Sequence, residues 1–340
     1  MAYISFQPND YFNTLLYTGN GSSGNAQTGI GFQPDWVWIK DRGQVAGHQI
    51  FDSVRGATKR IQSDSTGVEV TNDGVSSFDS DGFTLGANSS CNENSQNFVA
   101  WNWKANGSGS SNTDGDITST VSANTTSGFS IVSYTGNSTA GATIGHGLGV
   151  KPSMIITKQR SGDVAEPVVY HTSTGATKFF KLNETGAVIT NSTLWNDTEP
   201  TSTLFTVGTA AVSNASYPMI AYCFAEKKGF SKFGSYTGNG NADGTFIYTG
   251  FKPAMVIYKR SDGIEGWMIQ DNRRPGYNPM GGNLFPNVSN AESTDARFDF
   301  LSNGFKARSG NQNTNASTHI FMAFAEEPLV SSNGVPATAR

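Results

Sequence analysis

The sequence contains few of the residues that build the commonest chemical sites. It has two cysteines and four histidines among 340 residues. Cys91 and Cys223 have no counterparts at repeated positions, so we interpret both as free thiols and Cys223 as a small core residue. The histidines lie without the close spacing of a metal or catalytic cluster, and we interpret them as surface or strand residues. They are His48, His146, His171 and His319.

Charge and long apolar runs are also scarce. Charged residues make up 15% of the chain and the net charge is −4, so no basic field is available to hold nucleic acid. The apolar runs are strand-sized and fall short of the ~20 residues that cross a bilayer. The first residues lack the basic and apolar regions of a signal peptide. We therefore predict a soluble protein made in the cytosol, with no nucleic-acid partner and no membrane insertion.

What the sequence has instead is a pattern that occurs three times. The motif Tyr-Thr-Gly-Asn is followed 17, 18 and 17 positions later by a proline that enters an apolar strand, and each copy closes on a second apolar strand. The closing strands carry an alanine 66, 69 and 70 positions after the proline. Two anchors at nearly constant spacing indicate duplication of a whole module. The anchors are Tyr17, Pro34 and Ala100, then Tyr134, Pro152 and Ala221, then Tyr236, Pro253 and Ala323.

The composition predicts an all-β fold. Glycine (39 residues) and phenylalanine (22 residues) are abundant, and stretches with helical spacing are nearly missing. We predict three tandem β-sandwich (jelly-roll-like) modules of about 100 residues each. The predicted segments are an N-terminal docking arm (1–15), repeat 1 (16–105), a flexible linker (106–127), repeat 2 (128–227), repeat 3 (228–328) and a C-terminal tail (329–340). The linker leaves repeat 1 more freely placed than repeats 2 and 3.

Local patterns assign roles to the repeated residues. The prolines stand before their strands, where a missing N–H is tolerated. The Gly-Asn of each motif is predicted to supply positive φ in a turn. In the closing strand of repeat 1, Val99, Trp101 and Trp103 share one face, and the other two closing strands are apolar on both faces. Strand tryptophans are therefore interpreted as core residues, with sugar stacking as the alternative. They are Trp36, Trp38, Trp101 and Trp103.

The polar residues suggest little chemistry. Acidic residues fall mostly in turns, so an enzyme is the least favoured class. Asp79 and Asp81, and likewise Asp114 and Asp116, resemble fragments of calcium loops without the later glutamate. We predict no cofactor or metal, with calcium at Asp79/Asp81 as a weak alternative. Basic pairs recur at the ends of the proline-entered strands, as solvated charges or as a rim that meets an anionic surface. They are Lys40/Arg42, Lys158/Arg160 and Lys259/Arg260.

The first repeat resembles a repeat family of unknown activity in virion proteins of marine tailed bacteriophages. The resemblance rests on residues 6–12, 16–21, 31–40 and 78–85, is looser in repeats 2 and 3, and extends to the ending 334–340. It implies a virion component, commonly a tail fibre or structural protein, and it brings no catalytic residues.

Three functions follow as expectations. The first is a non-enzymatic tail fibre or spike component for host attachment, assembled as a homotrimer with other virion proteins and possible contact with a host surface glycan. The second is a capsid decoration or cement protein, for which three similar modules would form a pseudo-threefold body. The third is a carbohydrate-binding module. All three place the protein in the virion or at its surface, after synthesis in the host cytoplasm.

Two residue sets carry the attachment hypothesis. The long loop of repeat 3 supplies the predicted host contacts, and the N-terminal arm supplies the predicted contacts to the virion. The loop residues are Trp267, Arg273, Arg274 and Tyr277. The arm residues are Tyr3, Phe6, Tyr11 and Phe12.

Overall fold

The structure, a computed structural model, describes residues 7–328. Strands dominate these residues, and the α-helices are single turns. None of the helices in this part of the chain is long and apolar enough to span a membrane. The prediction of an all-β fold is confirmed. The strands form three successive units, here called modules 1, 2 and 3, and each has a large sheet and a small sheet.

Module 1 follows a 3-10 turn at Pro8–Asp10. Its large sheet has the order β1-β9-β3-β4-β5-β6 and its small sheet has the order β2-β8-β7. The elements are β1 (Phe12–Thr18), β2 (Asn25–Thr28), β3 (Trp36–Asp41), β4 (Gln49–Asp52), β5 (Gly56–Ile61), β6 (Val70–Thr71), β7 (Val75–Asp79), β8 (Gly82–Leu85), α1 (Ser89–Asn92) and β9 (Asn97–Trp103).

Module 2 has a large sheet of order β10-β11-β12-β19-β14-β15-β16-β17 and a small sheet that pairs β13 with β18. The elements are β10 (Ser110–Asn112), β11 (Ser119–Asn124), β12 (Phe129–Thr135), β13 (Ala142–Gly145), β14 (Met154–Gln159), β15 (Val168–His171), β16 (Lys178–Lys181), β17 (Ile189–Thr190), α2 (Ser192–Trp195), β18 (Leu204–Val207), α3 (Ala211–Asn214) and β19 (Pro218–Phe224).

Module 3 has a large sheet of order β20-β26-β22-β23 and a small sheet of order β21-β25-β24. The elements are β20 (Ser231–Asn239), β21 (Phe246–Tyr248), β22 (Phe251–Arg260), β23 (Met268–Asp271), β24 (Phe298–Leu301), β25 (Gly304–Ala307), α4 (Gln312–Asn315) and β26 (Ala316–Pro328).

The three modules surround one shared core. Each module also has a core of its own, between its large and small sheets. The opposite face of every large sheet contributes to a single cluster that contains residues of all three modules. This division follows from strand periodicity, because alternate residues of the closing strands β9, β19 and β26 point to opposite faces. Burial of the strand tryptophans confirms that they are core residues.

Three aromatic rings meet where the modules converge. Trp103, Phe224 and Phe324 occupy equivalent register positions, opposite Trp36, Met154 and Met255 respectively. Their ring centroids are 6.4 Å apart for Trp103–Phe224, 5.6 Å for Trp103–Phe324 and 6.1 Å for Phe224–Phe324. A near-equilateral triangle of equivalent residues indicates a pseudo-threefold axis through this point.

The register corrects the sequence alignment of the closing strand in module 3. Tyr17 pairs with Phe98, Tyr134 with Met219 and Tyr236 with His319. The residue two positions later is Ala100, Ala221 and Phe321, so Ala323 is not the equivalent of the other two alanines. Matching the alanines shifted the alignment of this strand by two residues. A shift of two leaves every side chain on the same face of the strand, so the apolar pattern did not reveal the error.

The segment 106–127 is not the flexible linker that its composition predicted. β10 and β11 extend the large sheet of module 2 by pairing with each other and with β12. Val121 and Ser122 are buried, and the Ser122 hydroxyl accepts a hydrogen bond from the Asn106 N–H. Glycine and serine are abundant here because the chain turns tightly. The shared core likewise contradicts the prediction that repeat 1 is freely placed.

The aromatic residues of the predicted arm bind within the chain itself. Phe12 lies in β1, is buried, and stacks on Phe324 with ring centroids 5.1 Å apart. Tyr11 packs against the shared core and contacts Phe230 edge-to-face. These two residues therefore join module 1 to module 3, which corrects their prediction as contacts to another virion protein. Tyr3, Phe6 and the tail 329–340 lie outside the described residues.

Each Tyr-Thr-Gly-Asn motif is held by a one-turn helix of its own module. The tyrosine hydroxyl donates to a helix carbonyl at 2.7, 2.6 and 2.6 Å in modules 1, 2 and 3. The backbone N–H of the motif asparagine donates to the side-chain oxygen of a buried asparagine that ends the helix. Those helix asparagines are Asn92, Asn214 and Asn315.

The glycine of the motif is required for close approach. Positive φ is not found at Gly19, Gly136 or Gly238, which corrects the expected turn role. A Cβ on Gly136 would lie 2.1 Å from the Ala215 carbonyl oxygen, and equivalent contacts occur in the other modules. Only glycine lets the motif cross the backbone after the helix at this distance.

The substitution Gly136→Ala is therefore expected to lower the free energy of unfolding by about 1–3 kcal/mol, because the backbone must shift to admit the methyl group. Gly186→Ala is the matched control, since a Cβ there meets nothing within 4 Å. Urea unfolding of both variants measures the difference. Equal stabilities would contradict the close-approach explanation.

The prolines are not all equivalent. Pro34 and Pro152 precede β3 and β14, as predicted. Pro253 lies inside β22, at a shift of register between β22 and β26. A local irregularity of this kind tolerates the missing N–H, which explains how the same residue is accommodated within a longer strand.

Candidate functional site

The junctions between modules repeat one set of backbone contacts around the axis. They are made by three equivalent loops, 42–47, 160–166 and 260–266, here called the junction loops. The loop of module 1 contacts module 3, that of module 2 contacts module 1, and that of module 3 contacts module 2. Each junction has two backbone hydrogen bonds. In one, a carbonyl of the loop accepts from the neighbouring module, and in the other an N–H of the loop donates to that module. The bonds are Glu292 N to Arg42 O (2.9 Å), Glu69 N to Arg160 O (2.9 Å), Val188 N to Ser261 O (2.9 Å), Ala46 N to Ser289 O (3.0 Å), Ala165 N to Thr66 O (3.0 Å) and Glu265 N to Thr185 O (2.9 Å).

Ion pairs reinforce two of these junctions. Arg42 binds Glu292 through two nitrogen–oxygen contacts, and Arg160 binds Glu69 in the same way. In module 3 the corresponding loop position is Ser261, whose hydroxyl donates to the Thr318 carbonyl of its own module. The three junctions therefore share backbone geometry and differ in side-chain chemistry.

A buried lysine lies at the base of each junction loop. Lys40, Lys158 and Lys259 are at most 1% exposed, and burial lowers the pKa of each to about 8. Their ammonium groups donate to backbone carbonyls of the loops and, for Lys158 and Lys259, to Ser65 and Thr185 of the neighbouring module. Both sequence interpretations of the basic pairs, as solvated charges or as an anion-binding rim, are wrong for the lysines. Their recurrence at one position was the signal of this shared structural role.

A second repeated position faces the shared core and carries different residues. Asp52, His171 and Asp271 lie opposite Trp36, Met154 and Met255. Asp52 accepts a hydrogen bond from Tyr222 of module 2, and Asp271 accepts one from Trp101 of module 1.

Each of the two aspartates pairs with an arginine three residues later. Arg55 and Arg274 have side chains that are 0% exposed. Arg274 also lies over the ring of Trp101, 5.6 Å from its centroid. Burial acts to lower the pKa of Arg55, but the neighbouring acidic groups, Asp52 foremost with Tyr222 and Glu69, together outweigh it and raise the pKa. These pairs are buried charges that neutralise each other.

All four histidines are buried, which corrects the interpretation that included surface positions. His48 Nδ1 accepts a hydrogen bond from Trp38 Nε1 at 2.7 Å, so its Nε2–H donates to the Phe285 carbonyl of module 3 at 2.9 Å. His171 Nδ1 accepts from the Ser173 N–H, and its Nε2–H donates to the Phe321 carbonyl of module 3 at 3.1 Å. Both interactions require the neutral ring.

Acid is expected to destabilise the protein through these rings. Burial lowers the pKa of His48 to about 3 and that of His171 to about 4. In the unfolded chain the two histidine rings take up protons near pH 6.5. The stability that the neutral rings contribute is therefore present above that pH and is lost as the pH falls toward the folded pKa values. At pH 5 the loss is about 2 kcal/mol per histidine.

Urea unfolding between pH 4 and 7 measures this slope. His171→Asn keeps a donor and an acceptor but does not titrate. It is expected to reduce the slope of the free energy of unfolding against pH by the amount that corresponds to about one proton taken up on unfolding. A variant slope equal to that of the original chain would refute the assignment to His171.

The structure separates the predicted host-contact residues. Trp267 is buried, and its Nε1–H donates to the Lys181 carbonyl of module 2 at 3.0 Å. Arg274 is buried in its ion pair, so both are structural residues of module junctions. Their prediction as surface contacts is wrong because a turn-rich sequence does not indicate which side chains fold inward. Arg273 is exposed, and Tyr277 is 81% exposed.

The aspartates considered for calcium hold the backbone of module 1, Asp79 within its own hairpin and Asp81 at the loop after β2. Asp79 accepts hydrogen bonds from the hydroxyls of Ser77 and Thr84, and Asp81 accepts them from the N–H groups of Gly29 and Gly31. Within residues 7–328, no three His, Cys, Asp or Glu side chains are grouped to hold a metal ion.

The junction loops also carry the most exposed aliphatic side chains among the described residues. Val45, Val164 and Ile264, here called the loop-tip residues, are 76%, 71% and 77% exposed. Each immediately precedes the residue whose N–H binds the neighbouring module. A repeated exposed aliphatic residue gave no sequence signal, because the loops differ in length and in their other residues.

The comparisons agree with the view that the three modules form one unit. A family described as a domain of unknown function (DUF7483) matches residues 7–328. No curated protein and no solved structure matches the chain. The match spans all three modules. The chain belongs to the DUF7483 family, a domain of unknown function.

Proposed function

We propose that the protein is a non-enzymatic structural component of a bacteriophage virion, and that it decorates or cements the capsid. The observation that carries this proposal is the closure of three modules around a pseudo-threefold axis. A body of that symmetry can present three equivalent surfaces to three equivalent partners. Threefold and local threefold positions of a head lattice offer such partners. The virion assignment rests on the sequence resemblance, which the pseudo-threefold body complements.

The structure removes the main argument against decoration. A flexible linker would let module 1 move away from the other two, whereas residues 110–112 and 119–124 are sheet strands and the modules share a core. One chain also occupies the three positions that a homotrimer would fill. We therefore expect one chain for each threefold position, in place of the homotrimer expected from sequence.

Attachment through a tail fibre or spike is the second candidate. It is favoured by the uneven distribution of exposed aromatic side chains among the modules. Such a distribution suits binding of a glycan or receptor by one module better than binding of a symmetric lattice by all three. The exposed aromatics of module 3 are Phe246, Tyr248 and Tyr277. Arg273 lines a polar cleft of about 320 Å³ between the N-terminal segment and module 3.

Cryo-electron microscopy of purified particles tests the proposal. We expect density for the three-module body at many positions of the head lattice, one chain at each. A few copies on the tail would overturn decoration in favour of attachment, and particles that lack the protein would overturn both.

A further inference from the structure

We infer that Val45, Val164 and Ile264 form a three-point docking surface for a partner with threefold symmetry that offers three apolar pockets. This inference rests on the proposed function and specifies its contact chemistry. It starts from exposure, since each of the three residues is more than two thirds exposed. A single exposed aliphatic residue is ordinary on protein surfaces. An exposed aliphatic residue at the same point of all three repeats is not.

The surrounding positions show that the aliphatic character is not a by-product of duplication. The residue before the loop tip is Gln44, Asp163 or Gly263, and the residue after it is Ala46, Ala165 or Glu265. The preceding residue differs in every repeat and the following residue is alanine in only two, while a β-branched aliphatic residue stands at the tip in all three. The fold does not require it, because the side chain points away from both cores. Burial of the side chain by a partner would explain why an aliphatic residue stands at this position in every repeat.

The loops are held in place before any partner arrives. The N–H after each loop tip binds a carbonyl of the adjacent module, and a buried lysine donates to carbonyls at the base of each loop. Presentation on a fixed loop lowers the entropy lost on binding. Because each tip precedes the equivalent junction hydrogen bond, the three tips occupy equivalent points around the pseudo-threefold axis.

The arginines of the junction loops are all in ion pairs, so the aliphatic tips are the distinctive feature of this surface. Arg42 and Arg160 are paired with glutamates of adjacent modules, and Arg260 is paired with Asp262 of its own loop. Since the arginine of each loop is neutralised, an acidic surface or a polyanion has little to bind here. The partner that fits is an apolar, symmetric face, such as a threefold position of an assembled shell.

Rebinding to particles tests the inference. The probe is particles of the encoding phage assembled without this protein, titrated with the full chain or with the triple variant V45S/V164S/I264S. Each single substitution is expected to weaken binding about tenfold and the triple variant about a thousandfold, because each removes one buried aliphatic group. The control variant L16S/V70S/V150S changes three exposed aliphatic residues outside the junction loops and is expected to bind like the original chain.

The outcomes distinguish the two proposals. If the original chain binds and the triple variant binds equally well, the docking surface is refuted and the decoration role stands. If the control variant loses as much affinity as the triple variant, the effect is general apolar adhesion and the inference also fails. If the original chain does not bind the particles, both proposals fail. Unchanged thermal unfolding of every variant ensures that lost binding does not reflect lost folding.

Discussion

Asp52→Asn is expected to lower the free energy of unfolding by about 3–5 kcal/mol. The reason is that Arg55 would remain buried without its principal counter-charge, while the Tyr222 hydroxyl would lose a carboxylate acceptor. Glu69, 3.1 Å from Arg55, lies partly exposed and offsets only part of the charge. Urea unfolding at neutral pH measures the change.

The matched control is Glu226→Gln. Glu226 pairs with Lys232 at 2.7 Å, but both side chains are 37% exposed. Solvent screens such a pair, so its loss is expected to cost less than about 1 kcal/mol. If Asp52→Asn costs no more than this control, the buried pair is not a stabilising part of the junction between modules 1 and 2.

Phe224→Ala is expected to cost about 3–5 kcal/mol, because a buried ring is replaced by a cavity. The ring lies in the axial triangle, where it contacts Trp103 of module 1 and Phe324 of module 3. Its loss therefore weakens all three modules at once. We expect one unfolding transition, shifted to lower denaturant concentration.

Phe205→Ala provides the comparison, because Phe205 is equally buried but belongs to the core of module 2 alone. Native-state hydrogen exchange distinguishes the two variants. Phe224→Ala is expected to speed exchange in β9 and β26, whereas Phe205→Ala leaves the exchange of those strands closer to that of the original chain. Two separate transitions in Phe224→Ala, with modules 1 and 3 at their original midpoint, would contradict a shared axial core.

The sequence predicted the parts of the fold that depend on periodicity. The alternation in 98–104 identified the face of Trp101 and Trp103, and the apolar runs 219–224 and 320–324 identified closing strands covered on both sides. These features are local, since a strand records its own environment in its side chains.

The arrangement of the modules was less accessible, because it depends on contacts between distant residues. Lys158 appeared to be a strand-end charge, yet it reaches the Ser65 carbonyl, 93 positions away. The composition of 106–127 predicted a flexible linker and did not reveal the strands β10 and β11 within it. Trp267 was predicted to be a surface contact, because local patterns do not show its partner, the Lys181 carbonyl of module 2.

The candidate docking surface was hidden for a different reason. Val45, Val164 and Ile264 are ordinary residues in loops of different length, and their likeness becomes visible only when the strands on either side are superposed by register. The repeated lysines were found from sequence because they follow a strongly patterned strand. The loop tips have no such pattern beside them.

Covalent connection changes how the three-module ring responds to dilution. A ring of separate chains disperses as its concentration falls, since each contact must be re-formed by collision. Here the junction at Arg42 and Glu292, which closes module 1 onto module 3, forms within one chain whose effective local concentration does not change with volume. The ring therefore stays closed at any concentration of the protein, so the lifetime of the ring is set by unfolding alone.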